Sequence, residues 1–130
     1  MKKIHSLFVA LGVLILLMSA TGCNTDSPGP KALLNKYFTS AINQDYGTTY
    51  DCYYSPYRQK VNKGEYIKHR KEGSVLKAYK IVSLEQRDDS AHAEVLLTFE
   101  PSGKPDQRPV SSTVKEEMVR EGGQWKIKVW

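Results

Sequence analysis

The feature that most constrains this chain is a change of apolar period partway along it. Leu33, Leu34, Tyr37, Phe38, Ala41 and Ile42 follow at spacings of 1, 3, 1, 3 and 1, one apolar stripe at helical period. Beyond Val75 the pattern alternates instead. Ala91, Ala93, Val95, Leu97 and Phe99 face one way, while His92, Glu94 and Thr98 face the other; Leu96 departs from the rule. Trp125, Ile127 and Val129 likewise alternate with Gln124, Lys126 and Lys128. Helices first and strands afterwards predict an α+β domain whose antiparallel sheet keeps one wet face.

Local signals divide the helical half into three pieces. Pro30 fits the first turn of a helix that Gly47 is expected to stop. A second helical piece is expected over Thr48 to Tyr54, broken by Ser55-Pro56. Asn62 followed by Glu65 has capping-box spacing, opening a third helix that runs to Glu72 and closes at Gly73. Strands are expected over Val75 to Glu85, around Ala91 to Phe99, over Val110 to Arg120 and around Trp125 to Val129. The third is expected to slip phase at a bulge near Glu116-Glu117. Asp88-Asp89-Ser90 and Gly122-Gly123 read as hairpin turns, and Pro101 to Pro109 as a longer polar loop.

The amino terminus reads as an export signal. Lys2 and Lys3 precede an apolar run from Leu7 to Met18, broken only weakly by Gly12. Twelve residues have the length of a signal core and fall short of the roughly 20 a spanning helix needs. Ser19-Ala20-Thr21-Gly22-Cys23 then resembles the lipobox of bacterial lipoproteins, in which small residues lead to a cysteine acylated through its sulfur. Ala20 stands where that motif usually has leucine. The resemblance divides the chain into a signal peptide over 1–22, a lipidated Cys23 with its tether over 23–30, and a domain over 31–130. Asn24 to Pro30 is polar and rich in Pro and Gly, as a tether should be. The expected place is the outer side of a cell membrane, held by lipid on Cys23. Lipidation also leaves Cys52 without a disulfide partner.

Removing 22 of 130 residues leaves 108, enough for one core, with roughly 60–70% of the unfolded surface buried. Hydrophobic residues at 40% and charged residues at 25% exclude a disordered chain. The net charge of +5 falls to +3 without Lys2 and Lys3, too small for a nucleic-acid binder. Two cysteines exclude a disulfide scaffold and a cysteine zinc site.

Three stretches carry a further resemblance. They are the first helix followed by Asp45-Tyr46-Gly47-Thr48-Thr49-Tyr50-Asp51, the segment Tyr54-Ser55-Pro56-Tyr57-Arg58, and the ending Val119-Arg120-Glu121-Gly122-Gly123-Gln124-Trp125-Lys126-Ile127. From Pro30 to Trp130 the chain resembles the nuclear transport factor 2-like (cystatin-like) superfamily, especially its small bacterial lipoproteins of unknown function. The resemblance implies helices packed on a curved four-stranded antiparallel sheet, often around a conical pocket. That fold hosts enzymes, binding proteins and pocketless modules alike.

Six of the eight tyrosines lie between Tyr46 and Tyr66. Rings with polar tips suit sugars, ring compounds or peptides, but they also suit the cover of a sheet. Tyr50, Tyr54, Tyr57 and Phe99 are the residues expected at a ligand pocket, if one exists. Ketosteroid isomerase, in the same superfamily, sets a carboxylate base beside hydroxyl donors. Asp45 and Asp51 lie near tyrosines but at helix ends, where capping explains them. The inward strand positions Ala93, Val95, Leu97 and Phe99 carry no carboxylate.

His69 and His92 are isolated, and no spacing supplies a zinc set. The basic run from Arg58 to Lys80 reads as a solvated face, with anionic lipid headgroups or wall polymers as the functional alternative. No catalytic residue, cofactor or metal is expected. The expected function is non-enzymatic binding of a small molecule, peptide or envelope protein. The alternatives are a structural or homodimerising module and, below that, a pocket enzyme of isomerase type.

Overall fold

A computed structural model describes residues 28–101 and 107–129; the signal segment and Cys23 lie outside the described residues. Four helices precede four strands: α1 (Pro30–Ile42), α2 (Tyr46–Asp51), α3 (Ser55–Lys60), α4 (Lys63–Glu72), β1 (Val75–Arg87), β2 (Ser90–Glu100), β3 (Val110–Glu121) and β4 (Gln124–Lys128). The strands form one antiparallel meander in the order β1-β2-β3-β4.

α1 forms where the apolar stripe predicts it. Leu33, Leu34, Tyr37, Phe38 and Ala41 are buried against the sheet, and their counterparts there are Leu76, Ala91, Ala93, Val95, Met118 and Ile127. The turn after α1 differs from expectation. Gln44 takes the left-handed conformation, φ 57°. Gly47 instead enters the first turn of α2, which Asp45 caps by accepting from the Thr48 amide at 3.2 Å.

Thr48 to Tyr54 is not one helix. α2 stops at Asp51, and Tyr53 is extended and bridged to Ile127. Ser55-Pro56 starts α3 rather than ending α2, because proline is tolerated in a first helical turn, where its missing N–H costs nothing. Asn62 caps α4 as its spacing predicts, accepting from the amides of Gly64 at 2.8 Å and Glu65 at 3.4 Å.

The hairpins also follow the sequence. Gly122 and Gly123 both take positive φ, 56° and 78°, as a tight primed turn requires. The irregularities in the sheet lie in β1, between Leu76 and Ala78 and between Ile81 and Ser83. The bulge expected near Glu116-Glu117 is absent: β2 and β3 pair without interruption from Ser90↔Val119 to Phe99↔Val110. Glu116 therefore sits opposite Ala93 on the helix-facing side, in phase with Val114 and Met118. A carboxylate at an inward position looks like a phase slip in sequence and is not one.

Candidate functional site

The helix-facing side of the sheet meets a cluster of tyrosines contributed by three different segments. Tyr37 comes from α1, Tyr53 from the link after α2, and Tyr66 from α4. The Tyr37 and Tyr53 hydroxyls are hydrogen-bonded at 2.6 Å, and their rings meet edge to face with centroids 5.6 Å apart. Tyr66 lies edge to face on Tyr53 at 5.7 Å. The Tyr66 hydroxyl is 2.9 Å from the Thr49 hydroxyl. Thr49 has one proton, and it bonds the Tyr46 carbonyl at 2.9 Å. Tyr66 is therefore the donor to Thr49, and its own oxygen is left to accept.

Two charges border this cluster. Glu116 is half-buried on β3 and accepts no hydrogen bond among the described residues. Burial pushes its carboxyl up to about 7. Its charge acts on Tyr37, whose pKa is driven up mainly by burial and further by Tyr66 and Glu116. Tyr53 is raised for the same first cause, burial, with Tyr37 next. Arg70, from α4, lies over the Tyr46 ring at 5.4 Å, and its buried Nε has no hydrogen-bond partner among the described residues. No ion pair joins Arg70 to Glu116 among the described residues. A buried donor and a half-buried carboxyl without partners are uncommon in a finished core. With its carboxyl raised to about 7, Glu116 is poised to hold or release a proton near neutral pH.

Of the four residues expected at a pocket, Tyr50 and Tyr57 both pack on Tyr66. The Tyr50 hydroxyl shares its single proton between the carbonyls of Val61 at 2.7 Å and Arg58 at 3.0 Å, tying α3 down. The Tyr54 hydroxyl donates to the Val129 carbonyl at 2.6 Å. Tyr57 packs on Tyr53 with centroids 4.5 Å apart, and Tyr50 packs on Tyr66 at 5.5 Å, so both adjoin the Tyr53–Tyr66 cluster directly. Phe99 lies towards the end of β2, opposite Leu76 and Val110. The inward place of Glu116 is hidden in the sequence by the phase slip expected of β3 at that point. The signal was present: Val110, Val114, Glu116 and Met118 all stand at even positions.

Asp45 and Asp51 are exposed and occupied elsewhere. Asp45 caps α2, and its bonds from Thr48 hold its carboxyl below the usual range. Asp51 pairs with Lys63 at 3.0 Å. In the basic run, Arg58 approaches Glu121 at 3.8 Å and Lys77 pairs with Glu100 at 2.7 Å. His92 lies 3.5 Å from Glu117 on the wet side of the sheet. Among the described residues, no His, Cys, Asp and Glu side chains gather in a group that could hold a metal.

No family model matches the sequence, and no curated protein matches it. Solved structures do. A SEC-C motif protein from Rhodopseudomonas palustris is similar at a TM-score of 0.65 and 14% identity, over 77% of this chain and 75% of that one. A ketosteroid isomerase-like protein from Erwinia carotovora atroseptica is similar at 0.62 and 18% identity, over 81% of this chain and 93% of that one. A nuclear transport factor 2-like protein of unknown function from Pseudomonas putida is similar at 0.53 and 16% identity, over 75% and 78%. The chain thus has the α+β fold of the nuclear transport factor 2-like class, helices on a four-stranded antiparallel sheet, as the sequence resemblance implied.

Proposed function

We propose that this chain is a lipoprotein, acylated on Cys23, that holds a non-enzymatic ligand-binding domain on the outer side of a membrane. The motif at Cys23 supports the anchor, and no helix among the described residues is long and apolar enough to cross a membrane. The observation that carries the binding reading is the unsatisfied pair of Arg70 Nε and Glu116 beside the Tyr37–Tyr53 hydroxyls. Aromatic faces supply contact area, and the two polar groups supply orientation. The ligand is a small molecule or a peptide end that presents both donors and acceptors. Native mass spectrometry of the protein extracted from its own membranes tests this. A bound mass is expected on the wild type and is expected to be lost from Arg70→Gln and Glu116→Gln variants that remain folded. A wild-type protein that carries nothing, under conditions where known complexes survive, counts against the reading.

One observation favours a second reading, a pocket enzyme of isomerase type. A carboxyl poised near 7 can take and return a proton, and neutral tyrosines whose pKa burial has raised can donate to a developing oxyanion. Proton exchange into deuterated water at the carbon beside a ketone, lost on Glu116→Gln, would move the assignment to this reading.

A further inference from the structure

A half-open cleft of about 180 Å³ has none of the clustered tyrosines in its lining. Leu33 and Lys36 of α1 line it on one side, Asp51 and Cys52 at the end of α2 on another, and Trp125 and Lys126 of β4 on the third. Its polar groups are unevenly committed. Lys36 is exposed and has no ion pair among the described residues. Lys126 gives one proton to the Asp51 carbonyl at 2.8 Å, and an ammonium has two more. The Asp51 carboxylate is already taken by Lys63, at 3.0 and 3.1 Å. The Trp125 indole Nε1 is buried and has no hydrogen-bond partner among the described residues. Both lysines act on the Cys52 thiol at the cleft wall, which burial nonetheless pushes up. The first turn of α1 adds no acidic side chain and no side-chain cap.

We propose that this cleft binds a phosphate-bearing ligand. Two ammonium groups act as point charges suited to a tetrahedral oxyanion, an orphan indole N–H needs an acceptor, and Leu33 and Trp125 offer an apolar wall to the carbons attached to the phosphate. A soluble glycerophosphate and a phospholipid headgroup both present this group. Pro28 also lines the cleft and stands five residues after Cys23. If Cys23 is acylated, as proposed above, that length of chain keeps the cleft within about 18 Å of the anchored residue, so the membrane's own headgroups are in reach.

The test uses the full chain purified in a nonionic detergent. The Trp125 indole N–H resonance is followed by nuclear magnetic resonance, assigned with Trp130→Phe. The titrants are glycerol 3-phosphate, phosphatidylglycerol in detergent micelles, and acetate at matched ionic strength. The indole proton is expected to move downfield and saturate with a phosphate-bearing titrant. Saturation by glycerol 3-phosphate establishes a soluble ligand as sufficient; saturation by phosphatidylglycerol alone assigns the headgroup. Replacing Lys36 and Lys126 together by alanine is expected to weaken binding by about tenfold or more, and Lys68→Ala to leave it unchanged. Lys36→Ala alone, at an exposed position, keeps the test decisive if the double variant misfolds. No shift, an equal shift with acetate, or undiminished binding in the lysine variants overturns the proposal. Failure of Cys23 to take up lipid overturns the anchor instead and leaves the glycerol 3-phosphate result standing.

Discussion

The backbone of Tyr53 is bridged in parallel to that of Ile127, the one such bridge among the described residues outside the antiparallel meander. The Ile127 amide donates to the Cys52 carbonyl at 2.8 Å, and the Tyr54 amide donates to the Ile127 carbonyl at 3.0 Å. The link between α2 and α3 is thereby stitched to the last strand across more than half the chain. Two further ties flank the stitch. The Tyr54 hydroxyl holds the Val129 carbonyl, and the Ser55 amide and hydroxyl both donate to the Glu121 carboxylate. This is what fixes Tyr53 edge to face with Tyr37 and Tyr66 at the sheet.

Because of these ties, neighbouring tyrosines should respond differently to loss of a hydroxyl. Tyr54→Phe removes a part-buried donor and orphans the Val129 carbonyl, so it should cost about 0.5–1.5 kcal/mol. The Tyr57 hydroxyl makes no hydrogen bond among the described residues, and Tyr57→Phe keeps the ring on Tyr53, so its cost should stay within about 0.5 kcal/mol. Urea unfolding of the two single variants measures the contrast. Equal costs would mean that the Tyr54 bond does not survive in solution.

Trp125 opens the apolar face of β4 and is 4% exposed, with the Arg120 guanidinium 5.2 Å from its ring centroid. Trp125→Ala should cost about 3–5 kcal/mol, the range for emptying a buried aromatic site. Chemical denaturation checks this, and a loss under about 1 kcal/mol would contradict the packing of the last hairpin.

The fold was legible where residues report their own environment. The stripe from Leu33 to Ile42, the alternation from Ala91 to Leu97 and the paired glycines at the last turn each encode a local geometry that tertiary contacts do not override. The helical segmentation around Tyr53 was not legible, because the force that extends Tyr53 is a bridge to Ile127, far away in sequence. The site was hidden for a related reason. Glu116 is inward only because β2 and β3 pair without a break, and register is a property of two strands together. Arg70 read as one more cation in a basic run, yet its Nε is buried and the residue sits over the Tyr46 ring. Cys52 has no Lys, Arg or His within five positions of it in sequence, while the fold brings the charges of Lys36 and Lys126 to bear on it.

The anchor can be tested without any ligand. Cys23→Ser should abolish metabolic labelling by a fatty-acid analogue. It should also release the cleaved protein from the membrane fraction, since stable anchoring requires the acyl chains themselves. A cleaved variant that still sediments with membranes would show that something other than lipid holds the protein there.

Glu116 gives the sharpest test of the candidate site, because its pH dependence has a definite sign. Its carboxyl moves from the ordinary 4.5 to about 7 on folding, through burial. The folded state therefore binds the proton more tightly than the unfolded chain does. The contribution to stability is fully present below pH 4.5 and is lost as pH rises through about 7. Its size is at most about 3 kcal/mol, one pKa unit being worth about 1.4 kcal/mol. Asp45 and Glu121 shift the other way, each held low first by the hydroxyl that bonds it, so their losses fall at acid pH and outside this window. Glu116→Gln keeps the shape and cannot ionise. The variant should be the more stable protein at pH 8 and should converge with the wild type near pH 5. Urea denaturation of both proteins across that range, read as the difference between them, isolates this one group from the exposed histidines. A difference that stays constant with pH would place Glu116 in water, and with it would go the half-buried, unpartnered carboxyl beside Tyr37 on which the binding site rests.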